Sequence, residues 1–187
     1  DWKKQILGLA NTYKTEPNRV IEFADRLSLG IQQVENISLN TEEVNFTWKD
    51  LNDMASPWAE RFDNSEGGSN GAPKFPMPNA YSFLLKYGHL ANNKQVLDHV
   101  ELTLDKMAFG GIYDQMGGGF SRYSVDKSWK APHFEKMLYD NGQLVSLYAD
   151  AYLKFKKPLY REVVFESLEF IERELTAENG AFYSALD

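Results

Sequence analysis

Apolar residues recur at helical spacing along most of this chain. Trp2, Ile6, Leu9 and Tyr13 form one short stripe, and Val20, Ala24, Leu27, Ile31 and Val34 form a second between Pro17 and Asn36. The first 35 residues therefore predict an α-hairpin turning at Thr15-Glu16-Pro17, with Pro17 suited to a first helical turn. A third helix is predicted at about Phe46 to Phe62, kinked or restarted at Pro57. Ala80, Phe83, Leu84, Tyr87 and Leu90, then Val96, Val100, Leu104 and Met107, predict another hairpin across the turn Asn92-Asn93-Lys94. A helix from about His133 to Phe155 carries apolar residues on most sides and should be buried nearly all round. Its partner, with Tyr160, Val164, Leu168, Ile171 and Leu175, follows the turn Lys156-Lys157-Pro158.

Two stretches break this pattern. Asp63 to Pro78 holds Gly67, Gly68, Gly71, Pro73, Pro76 and Pro78, a composition that no regular element tolerates. Phe109 to Pro132 holds Gly110, Gly111, Gly117, Gly118 and Gly119 among aromatic residues; loops so long are functional or disordered, and the aromatic content argues for order. A shift of 64 residues lays Val100 on Val164, Leu104 on Leu168 and Met107 on Ile171. After a five-residue insertion it lays Gly111-Ile112-Tyr113 on Gly180-Ala181-Phe182. Repeated hairpins of this kind bury their faces by stacking. The apolar helix from 133 favours a closed two-layer α/α toroid, with that helix inside, over an open solenoid.

Composition narrows the partners. At 187 residues the prior is a single domain, 1–187. A net charge of -7 excludes nucleic acid as an expected partner, since phosphate binding needs clustered Lys and Arg. No apolar run approaches the roughly 20 residues of a membrane span, so no membrane association is expected and cytoplasm is the default location. With no cysteine, disulfides, thiolate nucleophiles and Cys-based zinc sites are impossible. The start at Asp1-Trp2-Lys3 and the stop at Ala185-Leu186-Asp187, within a loop or short strand, predict a segment of a longer protein.

The loop residues carry a specific motif: Gly110-Gly111-Ile112-Tyr113-Asp114-Gln115-Met116-Gly117-Gly118-Gly119-Phe120, then Arg122-Tyr123-Ser124, Asp126 and Trp129, then Pro132-His133-Phe134-Glu135-Lys136-Met137-Leu138-Tyr139-Asp140-Asn141. Gly71-Ala72-Pro73-Lys74-Phe75-Pro76 precedes it and Gly180-Ala181-Phe182-Tyr183-Ser184-Ala185 follows. Over roughly residues 45 to 187 the chain closely resembles the spermatogenesis-associated protein 20 family. The resemblance implies a thioredoxin-like head joined to a six-hairpin, glycosidase-like (α/α)6 toroid of poorly defined activity. This chain would then be an all-α partial toroid, with residues 1–40 a linker or first hairpin after an absent head. Its partners would be the missing toroid half and head, or a second copy of itself where uncovered inner faces remain. Two departures from the family pattern stand out: Ser69 where an aromatic is usual, and Ser121 where His is frequent.

A helix starting at Pro132 would put His133, Lys136 and Asp140 on one face. Asp114, Glu135 and Asp140 are candidate acid and base groups, since paired carboxylates hydrolyse glycosidic bonds. His133 could instead move a proton beside a carbonyl, as in a sugar isomerase or epimerase. Tyr113, Gln115, Arg122, Tyr123, Trp129, Lys136 and Tyr139 are the candidate substrate contacts. Each has a structural alternative: Glu135 complementing a helix dipole, Lys136 and Asp140 pairing, His133 anchoring the loop, aromatics in the core. Gly117-Gly118-Gly119 lacks the ending of a phosphate loop, and His133 lacks helix-spaced metal partners, so no cofactor or metal is expected. His89 and His99 are expected at the surface. Two readings result: a carbohydrate-active centre, hydrolase- or epimerase-like, and a non-catalytic binding or scaffold module.

Overall fold

The Asp1 carboxylate accepts the Lys3 backbone N–H at 3.1 Å and so opens the first helix, α1 (Trp2–Thr15). Pro17 starts α2 (Pro17–Glu35), and the two helices pack as the expected hairpin. No residue of either is buried, because a lone helix pair covers only its shared seam. The computed structural model describes residues 1–35, 41 and 45–187, so Asn36 lies outside the described residues. The chain divides into two units, Asp1–Asn45 and Phe46–Asp187.

In the second unit, Thr47 and Asp50 form a reciprocal capping box at the start of α3 (Trp48–Ala59), which holds Pro57 in its last turn. The helix ends before Phe62 because the chain turns there to pair Phe62 with Ser69. α4 (Pro78–Leu90) and α5 (Lys94–Ala108) flank the predicted turn, with the Asn93 side chain capping α5. Four two-residue strands follow in the loops: β1 (Tyr123–Ser124), β2 (Pro132–His133), β3 (Lys136–Met137) and β4 (Ala185–Leu186). Antiparallel ribbons join β1 to β2 and β3 to β4.

The helix expected from His133 begins only at Leu138, as α6 (Leu138–Phe155). Residues 132–137 are extended because their backbone groups find partners across the ribbons: Tyr123 faces His133, and Met137 faces Ala185. Arg122 N–H also donates to the Glu135 carbonyl at 2.8 Å. His133, Lys136 and Asp140 therefore share no helical face.

α7 (Pro158–Glu174) completes the third hairpin. α4 packs beside α6 in one layer and α5 beside α7 in the other, with α5 also touching α6. Leu84, Val100, Leu104, Met107, Leu144, Leu147, Tyr148 and Tyr160 fill the space between. Buried Tyr148 of α6 ties the layers together by donating to the Leu104 carbonyl at 2.8 Å, and buried Tyr160 of α7 joins its neighbour α5 by donating to the Asp105 carboxylate at 2.8 Å. α6 is not covered all round, since Tyr139 and Leu153 remain exposed. On α7 the buried residues are Tyr160, Val163, Ser167 and Phe170, whereas Leu168 is 45% exposed and its repeat equivalent Leu104 is fully buried. The difference is positional: α5 packs against α4, α6 and α7, whereas α7 is the last helix of the second unit.

Candidate functional site

Two loops in the second unit share one architecture. Phe62 bridges Ser69 and Tyr113 bridges Phe120. Within each, an aspartate N–H donates to a glycine carbonyl: Asp63 to Gly68 at 3.0 Å and Asp114 to Gly119 at 3.0 Å. One oxygen of each carboxylate caps the turn. Asp63 accepts from the Ser65 and Glu66 backbone, and Asp114 from Met116 and Gly117. The other oxygen takes a buried lysine, Lys74 at 2.8 Å for Asp63 and Lys136 at 2.7 Å for Asp114. Each lysine also donates to the turn, Lys74 to the Gly67 carbonyl and Lys136 to that of Gly118.

Burial alone would raise the Asp63 carboxyl, but Lys74 and the turn N–H groups hold it well below the usual range. Lys136 lowers Asp114 to about 2, against the effect of burial and with help from the Gly117 and Met116 N–H groups. Gly118 and Gly119 have φ of 73° and 79°, in the left-handed region that favours glycine. Thr176 and Phe182 form a third such bridge, with Ala177 N–H donating to the Ala181 carbonyl at 2.8 Å. Gly180-Ala181-Phe182 thus corresponds to Gly118-Gly119-Phe120, and not to Gly111-Ile112-Tyr113. Ala177 replaces the aspartate there, so the third loop has no lock.

The lysine strands chain successive loops together. Lys74 pairs with Ser124 through two 2.8 Å backbone bonds, and Lys136 pairs with Leu186. Trp129, fully buried, donates its indole N–H to the Glu66 carbonyl at 2.9 Å and pins the first loop from the second. Asn141, also fully buried, accepts the Phe120 N–H at 2.6 Å and donates to the Phe120 carbonyl at 3.0 Å and the Met137 carbonyl at 2.9 Å, which places the loop on α6. Gln115 donates to the Ala108 carbonyl at 2.8 Å. Tyr113 is buried and donates to Glu166; burial, then Glu166, raises its hydroxyl pKa. Five of the candidate residues, Asp114, Lys136, Trp129, Gln115 and Tyr113, therefore hold the loops in place.

The remaining candidates lie on and beside the β1–β2 ribbon. His133, exposed, stacks on Tyr123 with ring centres 4.7 Å apart, and Phe75 lies 4.8 Å from Tyr123. The Phe75 ring is tilted by 31° to that of Tyr123, whereas His133 lies closer to parallel with it at 21°. Arg122 donates to Glu135 at 2.9 Å. Burial raises the Asp140 carboxyl pKa, with Arg122 opposing and Glu135 adding to the rise. Tyr139, beside it in the first turn of α6, is exposed.

Phe75 entered the sequence reading only as part of a supporting match, and its part in the ring stack was missed. The shared loop design was missed as well, although Phe62-Asp63 with Gly67-Gly68 and Tyr113-Asp114 with Gly118-Gly119 repeat at a fixed offset. His99 was misplaced. It is 3% exposed and stacks on Phe62 at 3.5 Å, with Nε2 3.2 Å from the Tyr81 hydroxyl, and burial lowers its pKa to about 4. His89 is exposed, as expected.

Layered hairpins with ribbon-linked loops at one end define the class, a partial (α/α)6 toroid, and solved structures bear this out. A sugar epimerase from a ruminal bacterium superposes with TM-score 0.67 at 18% identity, covering 74% of this chain and 39% of that one. The cellobiose 2-epimerase of Bacillus thermoamylovorans gives 0.63 at 16% identity, over 74% and 40%. An unsaturated glucuronyl hydrolase specific for heparin gives 0.64 at 12% identity, over 75% and 43%. Likeness at this identity shows the fold. No family model matches the chain. The chain is homologous to the spermatogenesis-associated protein 20 family: it is 34% identical to the human protein and 33% identical to the mouse protein, each over 97% of this chain. It spans about a quarter of the length of these relatives, 24% in both.

Proposed function

We propose that this chain supplies part of a carbohydrate site of hydrolase or epimerase style on the ribbon between its second and third hairpins. The observation that carries the reading is the ring cluster Phe75, Tyr123 and His133, adjoined by the Arg122–Glu135 pair and Asp140. Flat sugar faces pack on such rings through their C–H groups. Burial moves Asp140 toward proton donation, Arg122 pairs with Glu135 at 2.9 Å, and the His133 side chain is exposed. The toroid neighbours named for sugar epimerases and a glycuronyl hydrolase are consistent with this reading, as fold analogy only.

The test is a sugar and sugar-phosphate panel by thermal shift on the full-length protein, beside a His133→Ala, Asp140→Ala double variant shown to remain folded. A shift present in the parent and lost in the variant is the expected result; no shift from any ligand defeats the reading. A second reading, a non-catalytic scaffold, is favoured by a specific observation: Asp114, Lys136, Gln115 and Trp129 are taken up by internal hydrogen bonds.

A further inference from the structure

A cavity of about 330 Å³ opens between the end of α3, the first loop and the start of α4, lined by Trp58, Arg61, Ser69, Phe75, Met77 and Tyr81 among others. Its volume sits at the lower end of ligand pockets, which run about 300–1,000 Å³. Three features argue that it is a site and not a packing fault. Phe75 is both a wall of the cavity and the ring beside Tyr123 on the ribbon, so one side chain borders both surfaces. Ser69 occupies the position that Phe120 fills in the second loop, and its small side chain lines the opening. Met77 is held at φ 46°, a left-handed conformation costly for a residue with a side chain.

The lining is aromatic and apolar apart from one charge. Arg61 is exposed at the cavity, and among the described residues no carboxylate pairs with it. A guanidinium lining the same cavity as Trp58 and Phe75, with no carboxylate partner among the described residues, is suited to one anionic group on a ring-shaped ligand.

We infer that this cavity is a second saccharide subsite, taking a sugar ring that bears an oxyanion, carboxylate or phosphate, with Arg61 reading the charge and Trp58 and Phe75 the ring. The inference rests on the carbohydrate reading above and names its substrate class.

The experiment is calorimetric titration of the full-length protein with cellobiose, a disaccharide ending in glucuronate, and glucose 6-phosphate, with Arg61→Gln, Trp58→Ala and Ser69→Phe variants checked for native melting. At least one charged sugar should bind about ten-fold more tightly than cellobiose, the scale of a charge-assisted hydrogen bond. That preference should vanish in Arg61→Gln. Ser69→Phe, which fills the cavity with the side chain of the second loop, should weaken the charged sugar as Trp58→Ala does. The arm that responds, glucuronate or phosphate, identifies the oxyanion. Equal affinity for neutral and charged sugars, or a preference that survives Arg61→Gln, overturns the inference. Sugar binding lost in His133→Ala yet untouched by Trp58→Ala and Ser69→Phe overturns the cavity while leaving the carbohydrate reading intact. Absence of binding by every sugar overturns both.

Discussion

At the residue scale, the two aspartate–lysine pairs set local stability unequally. The Lys74 and Asp63 side chains are 1% and 11% exposed, while Asp114 of the second pair is 39% exposed. Removing one member of a buried pair leaves an uncompensated charge, a loss of about 3–5 kcal/mol. Asp63→Asn should therefore cost several-fold more than Asp114→Asn in urea denaturation, and adding Lys74→Met to Asp63→Asn should restore part of the loss. Acid acts through the same groups. Asp114 titrates below its ordinary 3.8, so its contribution is present above that value and disappears as pH falls through about 2. His99 is also depressed, from 6.5 to about 4, which means the unfolded chain takes the proton first. Stability should fall as pH drops from 6.5 to 4, and His99→Gln should flatten that part of the profile while lowering stability overall. Denaturation midpoints measured across the window provide the check.

At the element scale, the decisive piece is the stretch before α6. Asn141 holds the N–H and carbonyl of Phe120 and the carbonyl of Met137. Each buried group left unsatisfied costs about 1–3 kcal/mol, so Asn141→Leu should destabilise by roughly 3 kcal/mol and speed hydrogen exchange at the Phe120 amide. Wild-type exchange at that amide in a folded variant would refute the clamp. This is also where sequence periodicity misled. From His133 onward the residues fit a helix, but helical periodicity does not report strand pairing, and Ala185, the partner of Met137, lies outside any local window. The hairpins themselves were legible, because Asn92-Asn93, Pro17, Pro78 and Pro158 mark their turns and starts.

At the scale of the whole molecule, the repeat leaves one face uncovered. Phe165 and Leu168 on α7 are 53% and 45% exposed, although Leu104 at the equivalent place in α5 is wholly buried. The isolated 187-residue chain should therefore self-associate. Its light-scattering mass should rise with concentration, and Phe165→Glu with Leu168→Glu should hold it monomeric. A parent chain that stays monomeric at every concentration defeats this expectation.

Helical spacing and turn residues determined the helical hairpins, apart from the start of α6, because those signals are local and repeat along the chain. The loop motif alone was specific enough to indicate the family. Only the tertiary structure decided what the motif residues do, since hydrogen-bond partners are settled by contacts between distant segments. Asp114 reads as catalytic and Trp129 as a substrate contact in sequence, and the fold binds them into the loops through Lys136 and through Glu66 of the preceding loop. Nothing in the sequence around Phe75 or Arg61 indicates a shared cavity, and folding alone sets both in its wall.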